Sequence, residues 1–162
     1  MAVTTQNSTE YANLVASPPR RNRPDQQHGR VRIAYFTFTQ SGAGDANSLV
    51  NLCKIPAGRG RILKKNSTIT YSAFGAARVL DIGHTGWTKA DGSSQAASAN
   101  VLQDAEDVSA QGNTMMGEGT AAVTSPVLAF DSKTDIVIQA KCRVDTLPDG
   151  ATLEGYITYV ID

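Results

Sequence analysis

An antiparallel β-sandwich from about residue 30 onward, with at most one short helix, is the fold class that this sequence predicts. Three observations lead there. Polar and apolar residues alternate at period two over 68–74, 78–82, 136–144 and 153–161, the pattern of half-buried strands. The apolar runs are short and separated by Gly, Pro and Asp turn signals, as in all-β domains. No stretch has the strand–helix–strand rhythm of an α/β enzyme, and no internal repeat is visible. Seven or eight short strands are buried most simply as two packed antiparallel sheets.

The elements follow in order. Residues 30–38 are dense in β-branched and aromatic side chains and read as a strand. Residues 40–45, Gln-Ser-Gly-Ala-Gly-Asp, read as a loop. A second strand spans 49–55 and is closed by Pro56-Ala57-Gly58, and Ile62-Leu63 form a short strand of their own. Over 68–74, Ile69, Tyr71 and Ala73 share one face. Over 78–82, Leu80 and Ile82 point inward and Asp81 points the other way. Turn chemistry at His84-Thr85-Gly86-Trp87 and Ala90-Asp91-Gly92-Ser93 leaves Ala96 to Val108 for the one short helix. Strands resume at 126–130 and 135–144, where Ile136, Ile138, Ala140, Cys142 and Val144 share a face. After the Pro148-Asp149-Gly150 turn, the last strand runs from Thr152 to Ile161. Leu153, Ile157, Tyr159 and Ile161 line one side of it, and Tyr156 and Val160 the other. A strand apolar on both sides lies in a doubly covered sheet or at a subunit contact, which makes Tyr156 and Val160 candidate interface residues.

Residues 1–29 differ in kind. They are rich in Thr, Gln, Asn, Ser, Pro and Arg and poor in large apolar side chains, too poor to fold alone. They read as an extended arm ahead of a 30–162 domain. Tyr11, Leu14 and Val15 supply a small apolar anchor, Pro18 and Pro19 (with Pro24) hold the chain extended, and Arg20, Arg21 and Arg23 are placed to meet carboxylates of a partner. The chain of 162 residues carries fifteen Lys+Arg and fifteen Asp+Glu, hence no net charge. Residues 20–65 hold ten basic residues against Asp25 and Asp45, whereas residues 66–162 hold five basic and twelve acidic. Such a split suits a subunit whose basic part meets an acidic part of a neighbour. With no global field, attraction to nucleic acid or anionic lipid is not expected. No apolar run approaches the roughly 20 residues of a membrane span, and the first residues show no secretory h-region.

Chemistry-bearing motifs are scarce. The 40–45 loop lacks the third glycine of a dinucleotide loop and the Gly-Lys-Ser/Thr of a P-loop. His84 near Asp81 has no nucleophile elbow, and reads as a strand-end histidine bonded locally. Asp104, Glu106 and Asp107 lack a calcium-loop pattern and read as a solvated face. His28, Cys53, His84 and Cys142 match no zinc spacing. Cys142 reads as a reduced core thiol, Cys53 is left open, and no disulfide is expected. No catalytic residue, metal or cofactor is therefore expected.

Several stretches resemble the head decoration (cement) proteins of tailed bacteriophages. They are Ile55-Pro56-Ala57-Gly58 leading into a strand, Ala77-Arg78-Val79-Leu80-Asp81-Ile82-Gly83, the Gly- and Asp-rich Trp87 to Gly92, Asp104 to Gly112, and the end Gly155-Tyr156-Ile157-Thr158-Tyr159-Val160-Ile161-Asp162. The resemblance spans Ile55 to Asp162, two-thirds of the chain, and carries no catalytic residue. It implies a jelly-roll-like sandwich, a homotrimer, and a structural role in which an arm or loops bridge major capsid protein subunits. The implied place is the capsid exterior, after assembly in the host cytoplasm. It leaves 84–113 as a lattice-contacting or outward loop. Two other classes fit the residues: a nucleic-acid-binding β-barrel using the basic 20–65 region, and a carbohydrate-binding sandwich, for which one Trp and five Tyr give few stacking platforms. Salt-dependent DNA binding would mark the first of these.

Overall fold

The structure, a computed structural model, describes residues 7–8, 12–13, 15–21, 29–42, 48–118, 125–144 and 147–161. Twelve strands are described: β1 (Arg30–Thr39), β2 (Leu49–Ile55), β3 (Gly58–Leu63), β4 (Thr68–Tyr71), β5 (Val79–His84), β6 (Trp87–Thr88), β7 (Ser94–Gln95), β8 (Ser98–Asp107), β9 (Gly112–Met115), β10 (Val127–Ser132), β11 (Ile136–Cys142) and β12 (Thr152–Ile161). A single 3-10 turn, Lys64–Asn66, separates β3 from β4.

Two antiparallel sheets face each other. The first is organised around β12. One edge of β12 pairs along its whole length with β1, from Arg30 opposite Ile161 to Thr39 opposite Thr152. Its other edge is shared: β3 takes Tyr159 to Ile161, and β4 takes Leu153 to Tyr156. β10 extends this sheet beyond β3, and β9 extends it beyond β4. The second sheet runs β2-β11-β5-β8, and β6 and β7 form a separate small hairpin.

The core lies between the sheets. Ile62, Ile69, Leu153 and Ile157 from the first meet Ile55, Leu80, Ile82, Leu102, Ile136 and Ile138 from the second, all fully buried. β11 shows why this works: its burial alternates strictly, with Ile136, Ile138, Ala140 and Cys142 inward, so period two in sequence becomes one packed face. Gly155 is required where β12 crosses β4. A Cβ there would stand 2.2 Å from the Thr68 carbonyl oxygen.

The structure corrects the sequence reading at several points. Residues 96–108 form no helix; they supply β8, paired with β5. Two register shifts and a left-handed Ala105 (φ 56°) break the strand's alternation, so the adjacent Leu102 and Gln103 are both buried. The stretch 84–113 is accordingly no single loop, since it holds β6, β7, β8 and the start of β9. β4 ends at Tyr71, which leaves Ala73 exposed and buries Phe74 instead. β11 ends at Cys142, and Val144 is exposed beyond it. Asp81 does not face solvent; it is buried beside Leu80 and Ile82.

Candidate interaction surface

The chemistry-bearing side chains are engaged in holding the sandwich together. Asp81 accepts the backbone N–H of Ala105 at 2.9 Å, and its two oxygens take Arg143 Nε and Nη2 at 2.8 and 2.6 Å. Arg143 Nη2 also reaches Asp104 at 2.5 Å. One guanidinium thus ties β5 to the bulge of β8, and bonds from Asn100 and Arg143 hold the Asp104 carboxyl below its ordinary range. Glu106 accepts from Tyr71 Oη at 2.6 Å and from Gln103 Nε2 at 2.8 Å. Asp107 accepts the N–H of Ser109. The acidic run at 104–107, expected as a solvated face, is therefore largely used internally.

His84 is buried. Its Nδ1 lies 2.8 Å from the Thr85 carbonyl oxygen, so Nδ1 is the protonated nitrogen, and its ring rests 4.5 Å from that of Trp87. Asp81 has other partners, so the pair forms no dyad. Cys142 is buried, its Sγ 3.3 Å from the Val144 carbonyl oxygen, and Cys53 is partly buried; burial pushes the Cys53 thiol up to about 12. Among the described residues, no group of three or more His, Cys, Asp or Glu is placed to hold a metal, and no helix is long and apolar enough to cross a membrane. A groove of about 480 Å³ lined by Thr70, Tyr71, Ser72, Gln111, Asn113 and Thr152 offers no paired acid and base.

Among the described residues, the outer side of β1 in the first sheet is apolar and exposed. Antiparallel register sets Val31 opposite Val160, Ile33 opposite Thr158 and Tyr35 opposite Tyr156. Val31, Ile33 and Tyr35 are 61, 63 and 59 % exposed. They form a stripe along β1 on the side away from Phe36, which is buried in the core. Met115 is a further exposed apolar residue, on β9. Of the two expected interface residues, Tyr156 is half-buried beside the stripe. Val160 is 7 % exposed within the single chain, so its burial needs no second subunit. Thr158 is held by Ser67 Oγ and the Asn66 carbonyl oxygen, which fixes the middle of β12 under the 3-10 turn. Tyr35 Oη donates to Glu154 across the strand pair, and that bond raises the phenol above its ordinary pKa.

The stripe was missed in sequence because β1 is apolar on both sides. Val31, Ile33 and Tyr35 alternate with Ala34, Phe36 and Phe38, and periodicity alone does not say which set is core.

The segment expected to form an arm is described in part. Tyr11, Leu14 and Arg23 lie outside the described residues. Val15 is 57 % exposed, and Pro18, Pro19, Arg20 and Arg21 are exposed. The arm is not extended throughout. Ala12 N–H bonds the Ser8 carbonyl in a helical turn, and Arg20 N–H returns to the Asn13 carbonyl at 2.8 Å. Proline cannot continue the helix but ends it in a turn. The charge asymmetry is met partly within the chain, where Lys54 pairs with Asp135 at 2.6 Å and Arg59 with Asp131 at 3.1 Å.

No protein-family model and no curated protein matches this sequence. Among solved structures, a chain of the Cyanophage Pam1 capsid asymmetric unit is similar in fold: 14 % identity, TM-score 0.57, covering 91 % of this chain and 96 % of that one. A chain in the capsid of Ralstonia phage GP4 is 20 % identical with a TM-score of 0.60, covering 88 % of this chain and 92 % of that one. The fold is thus one that phage capsids contain.

Proposed function

We propose that this chain is a structural virion protein that decorates and cements a bacteriophage capsid, bridging major capsid protein subunits on the capsid exterior. The observation that carries this reading is the extent of the fold likeness. Both phage capsid chains are matched over more than nine-tenths of their own length, so the matched unit is a whole small chain and not one domain of a larger shell protein. The side chains agree. The histidine, the thiols and the carboxylate cluster serve the sandwich, while an exposed arm with Arg20 and Arg21 and an apolar stripe on β1 are left for partners. An arm that orders on a neighbour gains contact area per residue, at a cost of roughly 2–5 kcal/mol in ordering. The proposed mechanism is mechanical. A rigid sandwich links two shell subunits and raises the energy needed to part them, with no substrate turned over. Self-association as a homotrimer belongs to this reading through the resemblance to decoration proteins.

A nucleic-acid role for the 20–65 region is less favoured by the geometry. Two of its cations, Lys54 and Arg59, are already paired with carboxylates, and the exposed aromatic near the others, Tyr35, is tied to Glu154. The test is co-sedimentation of the purified chain with capsids that lack it and, separately, with DNA. Saturable binding to capsids alone is expected. Salt-sensitive DNA binding without capsid binding would overturn the proposal.

A further inference from the structure

Strand register lays two rows of side chains across the outer face of the first sheet, over the adjacent strands β1, β12, β4 and β9. One row is Tyr35, Tyr156, Thr68 and Met115, and the next is Thr37, Glu154, Thr70 and Asn113. Both point away from the core, because Phe36 and Ile69, which lie between them in sequence, are buried. Neighbouring strands are about 4.8 Å apart, so each row spans roughly 14 Å.

The first row carries an aromatic platform. Tyr35 is 59 % exposed. Its Oη donates to Glu154, its diagonal neighbour on β12, a reach that long side chains make across a strand pair. That bond directs the ring across β12 instead of straight out, with Tyr156 half-buried beside it. The second row is mostly hydroxyl and amide. Thr37, Thr70 and Asn113 are exposed, and among the described residues no side-chain bond engages them. Thr70 and Asn113 also line the groove of about 480 Å³, where Ser72, Gln111 and Thr152 add further hydroxyl and amide groups.

We infer that this face binds a neutral polysaccharide, with one sugar stacked on Tyr35 and its neighbours hydrogen-bonded along Thr37, Thr70 and Asn113 toward the groove. A sugar ring has an apolar C–H side for the tyrosine and, around its rim, hydroxyls that both donate and accept. The face offers the matching set: one ring held in place, a line of hydroxyls and an amide, and a groove in which the chain continues. Binding sites of this kind combine apolar surface with a few placed polar groups. The two rows hold no cation, and Glu154 is their one charge, which disfavours nucleic acid and anionic lipid. A protein partner would have to cover the same polar groups and satisfy each of them. Where many copies are displayed together, weak single contacts add up to firm adhesion. Binding of this kind does not depend on a capsid.

The test screens the full chain on an array of neutral bacterial, plant and fungal polysaccharides, with heparin and DNA as charged controls. Calorimetry on short soluble fragments follows each hit. Retention by at least one neutral polysaccharide and by neither control is expected. Tyr35→Ala should weaken it about tenfold or more, with an unchanged far-UV spectrum because the ring is exposed, and Tyr35→Trp should keep or strengthen it. Thr70→Ala and Asn113→Ala should each weaken it severalfold, and they read the polar row independently of the tyrosine. Val31→Ser, on the same strand but two rows away, should bind as the parent chain does. No retention by any neutral polysaccharide, retention by heparin or DNA alone, or a folded Tyr35→Ala chain that binds like the parent would each overturn the inference. So would loss of capsid binding in Tyr35→Ala without any glycan binding, which would give the face to a protein partner. Capsid binding by the parent chain reads the virion proposal separately.

Discussion

The ring of His84 sits between the Thr85 carbonyl and Trp87, and burial holds its pKa below the ordinary 6.5. The unfolded chain therefore binds this proton at a higher pH than the folded chain does. The sign follows from linkage: the stabilisation is complete above the unfolded value and declines as pH falls toward the folded one. Urea midpoints should drop between about pH 7.5 and about pH 5 in the parent chain, and much less in His84→Phe. The depressed carboxyls Asp104, Asp107 and Asp135 add their own acid loss only as pH approaches their ordinary 3.8, so the upper window belongs to histidine. Asp81 makes a second residue-scale prediction. It satisfies the Ala105 N–H and two nitrogens of Arg143 while buried. Asp81→Ala strands those donors and should cost about 2 kcal/mol, discounted for the half-exposed arginine. Asp81→Asn should cost less, because its amide oxygen still accepts from Ala105; chemical denaturation of both variants checks the order.

At the scale of elements, β8 shows where local pattern and tertiary structure part. Ala105 adopts φ 56° so that its N–H can reach Asp81. The left-handed backbone costs an L-residue roughly 1–2 kcal/mol. Ala105→Gly should therefore raise stability by up to about 1 kcal/mol once the freer unfolded chain is counted, and Ala105→Val should lower it by more than that, since a branched Cβ fits φ > 0 poorly. Both are read from the denaturation midpoint. The same bulge explains why 96–108 looked helical: the alternation that signals a strand is reset within it. By contrast, β2 and β12 were legible to their end residues, 49–55 and 152–161, because Pro56-Ala57-Gly58 closes β2, Pro148-Asp149-Gly150 opens β12, and no bulge shifts the pairing of β12 with β1. β1 was legible as a strand but not as an edge. Its apolar residues fall on both sides, and only the pairing with β12 reveals which side is bare. The Asp81–Arg143–Asp104 cluster was hidden for another reason. Its members are up to 62 residues apart, and no spacing rule joins them.

For the whole molecule, the proposed division between a 1–29 arm and a 30–162 sandwich is open to a direct test. The core draws on β1 to β6, β8 and β10 to β12, on Phe74, Val108 and Met116 between strands, and on Leu147 and Ala151 of the 147–151 turn. Deletion of residues 2–24 should leave the unfolding midpoint of the sandwich near that of the full chain, measured by near-UV signal from Trp87. The same deletion should weaken capsid binding about tenfold or more, and flatten its dependence on salt as Arg20, Arg21 and Arg23 are lost. Unchanged affinity together with unchanged salt dependence would reduce the arm to a tail and shift the binding to the sheet face.

Cementing itself is tested most directly on the shell. Capsids assembled with and without this chain are heated in parallel, and the release of their contents is followed. Capsids carrying the chain are expected to hold it at a fixed ratio to the major capsid protein, and to open at a clearly higher temperature than bare ones. Capsids that never take up the chain, or that take it up and open at the same temperature as bare shells, would contradict it.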